Sequence, residues 1–88
     1  MLVKLTAIEY GGFDWDAGNT KKAQHGVSLG EIEGLFEQEL LVISDITHSQ
    51  DEERFIAIGM SKKERPIFVA YTLRQKKGEI LIRVISAR

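Results

Sequence analysis

The 88-residue sequence contains no cysteine, only one proline and no apolar run of membrane-spanning length. Without cysteine the chain has no disulfide bonds and no thiolate metal ligands, as is typical of proteins in a reducing compartment. The first five residues lack the apolar segment of a secretory signal. We therefore expect a single domain over residues 1–88, located in the cytoplasm, without contact to a membrane.

The net charge is only −1, but the first part of the chain has few basic residues and the last part has few acidic residues. Residues 1–53 contain eleven acidic and three basic residues, whereas residues 54–88 contain two acidic and nine basic residues. This asymmetry predicts a basic face that could meet phosphate groups. The alternative is that the charges of the two halves interleave in three dimensions and largely cancel.

Two helices are predicted in the first half of the chain. The first would begin at Asp16 or Asn19, since either side chain can cap a helix, and would end at Gln24. The second would begin at Ser28, which forms a capping-box pattern with Glu31. Its apolar residues then share one face at helical spacing, namely Leu29, Ile32, Leu35 and Phe36.

The remaining segments are typical of strands joined by short turns. Apolar, β-branched and aromatic residues are concentrated at 40–44, 54–60, 67–73 and 79–86, with a hairpin turn around Gly78. The first ten residues could add an edge strand. Short turns imply antiparallel pairing. The predicted fold is therefore α+β, with two N-terminal helices packed on one face of a three- to five-stranded antiparallel sheet.

Six short motifs, in order and at similar spacing over residues 13–88, resemble the BrnT family of bacterial and archaeal toxins. They are Phe13–Asp16, His25–Ser28, His48–Ser49, Glu52–Phe55, Ile58–Ser61 and Ile85–Arg88. The resemblance implies a RelE-like fold and a ribonuclease activity that arrests translation. It also implies a cognate ribbon-helix-helix antitoxin whose complex with the toxin represses its own promoter, so that contact with DNA would be indirect.

Metal-free RNA cleavage needs a base for the ribose 2′-OH, a cation for the charge on phosphorus and an acid for the leaving oxygen. His25 is the candidate base or acid, because imidazole titrates near neutral pH. A helix C-terminal histidine bonded to carbonyl groups is the structural alternative. The candidate phosphate-binding residues are Arg54, Arg83 and Arg88, since guanidinium contacts phosphate at two points.

Two of these arginines have structural explanations as well. An ion pair with one of the two preceding glutamates would account for Arg54 equally well. Strand alternation puts Arg83 on the same face as Leu81 and Ile85, so it lies at the rim of the helix-covered face or exposed on the opposite face.

Three further residues are candidates for RNA binding. Lys22 and Arg74 carry positive charge, and Tyr71 could serve as an acid or as a stacking platform for a base. A half-buried strand tyrosine is the structural alternative for Tyr71. His48 lies among acidic residues, but their spacing matches no recognised metal site, so neither a metal nor another cofactor is predicted.

The sequence therefore supports two functions of different classes. The first is a metal-independent endoribonuclease toxin that an antitoxin silences. The second is a non-catalytic, toxin-like protein that pairs with an antitoxin and contributes to promoter repression. Gln24, at a position where the family commonly has lysine, and the end of the chain at Arg88, where most relatives continue into a basic segment, favour the second.

Overall fold

The computed structural model describes residues 3–6, 10–21, 26–38, 40–45 and 52–88. These residues form six strands and one helix. In chain order the elements are β1 (Val3–Thr6), β2 (Gly12–Phe13), α1 (Leu29–Leu35), β3 (Leu40–Ser44), β4 (Phe55–Met60), β5 (Pro66–Lys76) and β6 (Glu79–Ala87). No helix in the described part of the chain is long and apolar enough to cross a membrane.

The six strands form one mixed sheet in the order β1-β3-β4-β5-β6-β2. Neighbours from β1 to β6 pair antiparallel. At the far edge, β2 pairs parallel with β6, where Gly12 lies opposite Leu81 and Phe13 opposite Ile82. The amide of Asp14 extends this pairing by donating to the carbonyl of Ile82 over 2.8 Å. The two N-terminal strands therefore lie on opposite edges of the sheet.

The β5–β6 hairpin is the longest pairing in the sheet. Lys77 and Gly78 connect the strands with φ values of 50° and 79°, and two successive positive φ angles define the tight hairpin turn whose twist matches that of the strands. Ala70 pairs with Ser86 and Tyr71 with Val84, which leaves Ile85 as an extra residue in β6. This bulge turns Ala87 back towards the buried face, where it has no exposed surface.

Helix α1 confirms the predicted second helix. The hydroxyl of Ser28 accepts from the amide of Glu31, and the Glu31 carboxylate accepts from the amide of Ser28, so the capping box is complete. Arg65, in the β4–β5 turn, donates to the same carboxylate over 3.0 Å and to the carbonyl of Gly26. These contacts tie the start of the helix to the sheet, and the bond from Ser28 with the nearby Arg65 lowers the pKa of Glu31.

One face of the sheet and helix α1 enclose the core. The helix and its C-cap contribute Ile32, Leu35 and Phe36, and the sheet contributes Leu40, Val42, Ala57, Ile67, Val69, Tyr71, Ile82, Val84 and Ala87. Phe36, just after the helix, makes edge-to-face contacts with Tyr10, Phe13 and Tyr71 at centroid distances of 5.3 to 6.3 Å. Aromatic pairs in this geometry stabilise a fold beyond their buried area.

The predicted arrangement of two N-terminal helices on an antiparallel sheet is wrong. Residues 17–21 form turns, and residues 22–25 lie outside the described residues. The Asp16 carboxylate does accept amide bonds from Gly18 and Asn19, but the Asn19 side chain bonds to the distant carbonyl of Val84. A tertiary contact thus overrides the local capping signal. The sheet also has six strands, and its β2–β6 pair is parallel, because alternation of side chains does not encode strand direction.

Gly59 provides a test of how tightly α1 packs on the sheet. A methyl group at Gly59 would lie 2.8 Å from the terminal carbons of Leu35 and Leu40, both in the packed core. We expect Gly59→Ala to lower the free energy of unfolding by about 1–3 kcal/mol through overpacking. The measurement is urea denaturation followed by circular dichroism.

Gly34→Ala is the matched control, because nothing lies within 4 Å of its added methyl group. Alanine is favoured over glycine in a helix, so this variant should be more stable by about 0.5–1 kcal/mol. Equal stability of the two variants would contradict the packing of α1 against β4.

Candidate functional site

The second face of the sheet, opposite helix α1, carries the candidate site and is called the open face below. Side chains that alternate with the core residues lie on it. Its apolar end is formed by side chains of β3, β4 and β5, with Phe68 45% exposed and Met60 54% exposed. Its charged end consists of residues next to β2 and β4 and on β5 and β6, namely Asp14, Asp16, Glu52, Arg54, Arg74, Lys76 and Arg83.

Arg83 lies at the centre of the charged end. It stands between the buried residues Ile82 and Val84 on β6, so its own side chain projects from the open face. Its Nη1 atom donates to Asp14 over 3.3 Å and to Asp16 over 3.0 Å, and Nη2 donates to the other oxygen of Asp16 over 3.3 Å. The hydrogen bond with Asp16 raises the pKa of Arg83 and lowers the pKa of Asp16. The guanidinium is therefore held by two carboxylates.

The two carboxylates reach Arg83 because residues 12–16 run beside β6. Alternation along this segment turns Phe13 and Trp15 towards the core and Asp14 and Asp16 towards the open face. Phe13 stacks on Trp15 at 5.9 Å, and the Trp15 indole N–H donates to Glu33 of helix α1. Trp15 thus packs against the core from the edge of the sheet.

The side chain of Asn19 holds the turn after Asp16 in place. It is buried, and its Nδ2 atom donates to the carbonyls of Asp14 and Val84, both over 3.0 Å. Its Oδ1 atom accepts from the amide of Asp16 over 2.8 Å. A buried side-chain amide with these three bonds holds the turn against β6.

The rest of the charged end consists of neighbouring ion pairs. Lys76 donates to the second oxygen of Asp14 over 3.0 Å, and Arg74 donates to Glu52 over 3.2 Å. Two residues before Arg74 on β5, the buried hydroxyl of Thr72 donates to the carbonyl of Glu53. The polar groups of β5 and β6 are therefore tied to the segments just before β4 and just after β2.

The charge asymmetry of the sequence is resolved by these pairs. Five ion pairs join described residues, and each connects an acidic residue of the first half to a basic residue of the second: Glu31 to Arg65, Glu52 to Arg74, Asp14 to Lys76, and Asp14 and Asp16 to Arg83. The charges interleave at the charged end, as the alternative interpretation held. Any phosphate group that binds there must compete with carboxylates.

Four of the predicted site residues lie on the open face. Arg54, which is half-buried and directly precedes β4, and Arg74 and Arg83 lie at the charged end. Arg88 pairs with Phe68 through two backbone hydrogen bonds of 2.7 and 3.0 Å, so its exposed side chain lies on the same face as Phe68. It is exposed and makes no ion pair with another described residue.

The remaining predicted residues fall into two groups. His25 and Lys22 lie outside the described residues, as does His48. Tyr71 lies in the core on the other side of the sheet, where it is 3% exposed and contacts Phe36 and Phe55. Burial raises the pKa of Tyr71 to about 12, so the structure favours its structural interpretation over a role as acid or stacking platform.

Sequence reasoning missed Asp14, Asp16, Asn19 and Lys76 as members of the site. The alternation of aromatic and acidic residues over Phe13–Asp16 was the available signal, because it is the pattern of a strand with one buried and one polar face. This pattern could not indicate which strand of the sheet the segment would pair with. Among the described residues, no group of three or more metal-binding side chains occurs.

Fold and site together define a small, predominantly β protein whose sheet has one buried face and one open face bearing arginine side chains. Residues 15–88 match a protein family described as the ribonuclease toxin BrnT of type II toxin–antitoxin systems. The chain belongs to this family, whose toxins are ribonucleases with an antitoxin partner. Comparison with curated proteins and with solved structures returns no match.

The placement of Tyr71 can be tested by its titration. Since burial raises its pKa to about 12, the folded protein binds this proton more tightly than the unfolded chain does between pH 10 and 12. The associated stability is complete below about pH 10 and is lost as the pH rises through about 12. We expect the free energy of unfolding to fall over this range, and to fall less in Tyr71→Phe.

The measurement is urea denaturation at several pH values, together with the ultraviolet absorbance of tyrosinate. Tyr10→Phe is the control, because that side chain is more exposed than Tyr71, although partial burial also raises its pKa. Ionisation of Tyr71 near pH 10 in the folded protein would contradict its burial.

Proposed function

We propose that this protein is a metal-independent endoribonuclease that arrests translation in the cytoplasm and is neutralised by a ribbon-helix-helix antitoxin. The observation that carries the proposal is the presence of four arginines, Arg54, Arg74, Arg83 and Arg88, on one open sheet face of a BrnT-family protein. Guanidinium groups bind phosphate and stabilise the charge that develops on it during cleavage.

The proposed reaction begins with attack of the ribose 2′-oxygen on the adjacent phosphorus. The 2′-proton passes to a base, the bond from phosphorus to the 5′-oxygen breaks, and the 5′-oxygen takes a proton from an acid, leaving a cyclic phosphate. His25 is the proposed base or acid. Arg54 directly precedes β4, and Arg83 lies on β6, two strands away across β5. We assign both guanidinium groups to contacts with RNA phosphates.

The proposal predicts cleavage of RNA by the purified protein in the presence of EDTA. His25→Ala should reduce the rate by about a hundredfold, as removal of a general acid or base does. Arg88→Ala should reduce it by about tenfold through the loss of one phosphate contact. Gel electrophoresis of a labelled single-stranded RNA gives the rates, and Lys63→Ala, an exposed cation in the β4–β5 turn, is the control.

Two results would contradict parts of this proposal. Cleavage that EDTA abolishes and magnesium restores would exclude the metal-independent reaction. Intact RNA with folded, soluble protein would leave the non-catalytic, antitoxin-binding function, and would agree with the effect expected of Gln24.

The apolar end of the open face supports the partnership with a protein antitoxin. Phe68, Met60 and Leu41 are exposed there, and half-exposed side chains of β3 and β4 lie between them. Contiguous exposed apolar surface of this kind commonly marks a protein interface. An antitoxin that covers the apolar end would also block access to Arg88, because Arg88 is the backbone partner of Phe68.

The probe for this interface is the cognate antitoxin, which is to be sought in the neighbouring reading frame. Phe68→Glu should weaken its binding at least tenfold, because a carboxylate would be buried without a partner. Ile80→Glu is the control, since Ile80 is equally exposed but lies near the hairpin turn. Isothermal titration calorimetry gives the affinities. An equal effect of both variants on the affinity, or no effect of either, would contradict this location.

Binding of promoter DNA by the toxin–antitoxin complex, and not by the toxin alone, would support the ribbon-helix-helix class of the antitoxin.

A further inference from the structure

We infer that Asp16 is an exchangeable counter-ion of Arg83, which an RNA phosphate displaces on binding, while Asp14 remains in place and orients the guanidinium. This inference rests on the proposed function, because it assigns the phosphate contact of Arg83 to RNA. The inference assigns to Asp16 a role in setting the affinity for RNA. The pattern of basic residues in the sequence does not reveal this role, because Asp16 is acidic.

The two carboxylates that hold Arg83 differ in accessibility. The Asp14 side chain is 10% exposed, whereas the Asp16 side chain is 53% exposed and that of Arg83 is 20% exposed. The solvent-facing side of the guanidinium is therefore the side that Asp16 occupies. A phosphate that approaches Arg83 from solvent meets Asp16 first, and two anions cannot occupy the same donors.

Asp16 can leave Arg83 and remain hydrogen-bonded. Its Oδ1 atom accepts from the amides of Gly18 and Asn19 over 2.7 and 3.2 Å, and these bonds lie within its own turn. The turn itself is fastened by the buried Asn19 side chain, whose bonds to Asp14, Val84 and Asp16 do not involve Arg83. Loss of the ion pair therefore leaves no buried group without a partner.

Asp14 is held much more firmly. Its amide belongs to the β2–β6 pairing, its side chain is buried, and it also accepts from Lys76 over 3.0 Å. It contacts only Nη1 of Arg83, so the Nη2 donor that Asp16 vacates becomes available to a phosphate oxygen. A guanidinium with one fixed carboxylate is restricted in orientation, which favours two-point contact with phosphate.

The proposed exchange predicts tighter RNA binding when an uncharged residue replaces Asp16. In Asp16→Asn the side-chain oxygen can still accept from the two turn amides, but the repulsion of phosphate is gone. We expect the Kd for a 2′-O-methyl RNA, which cannot be cleaved because it lacks the nucleophile, to fall by about fivefold to tenfold. Asp14→Asn, which removes the orienting carboxylate, should raise the Kd. Fluorescence anisotropy gives both values at one fixed salt concentration.

A double-mutant cycle tests whether the gain acts through Arg83. Asp16→Asn should leave the Kd unchanged when it is combined with Arg83→Ala. Asp16→Ser is a second neutral replacement, whose hydroxyl can also accept from the turn amides, and it should reproduce the gain. Circular dichroism melting curves confirm that each variant is folded.

The inference is overturned if both neutral variants bind RNA as the natural protein does or more weakly, or if the gain persists without Arg83. Cleavage of unmodified RNA is measured separately. Absence of cleavage together with tighter binding by Asp16→Asn would reject the proposed catalysis and keep this inference, whereas cleavage without tighter binding would do the reverse.

Discussion

The parallel pairing of residues 12–14 with β6 is the constraint on which the rest of the structure depends. It sets a short segment of alternating aromatic and acidic residues along the edge of the sheet. Phe13 then packs against Phe36 in the core, while Asp14 reaches Arg83 on the other face. One edge pairing thus closes the core and builds the charged end of the open face, so the two cannot be changed independently.

The proposed function makes two demands on the open face, a phosphate-binding region and a surface for a protein partner. The arginines of this face can hold phosphate, and its apolar end leaves surface for a protein partner. The carboxylates around Arg83 keep this cation compensated and ordered when RNA is absent. Compensation of this kind limits non-specific attraction to polyanions, because affinity then depends on replacing a local carboxylate and not only on net charge.

Much of the fold could be predicted from local patterns. The capping box of α1, the strands β3 to β6 and the turn at Gly78 follow from hydrophobic periodicity and turn chemistry, which act over a few residues. The first helix could not be excluded in this way, because Asn19 has the local properties of a capping residue. It is the carbonyl of Val84, 65 residues further along the chain, that engages its side chain.

The sequence by itself determined the family, the shape of the second helix and the set of candidate cations, since motif order and periodicity are properties of the chain. Only the tertiary structure decided which of those cations share a face and which carboxylates meet them. The physical reason is that ion pairs and edge pairings here join residues far apart in the chain, and nothing in local spacing specifies them. The same holds for Tyr71, whose strand position was predictable but whose face was decided by packing against Phe36.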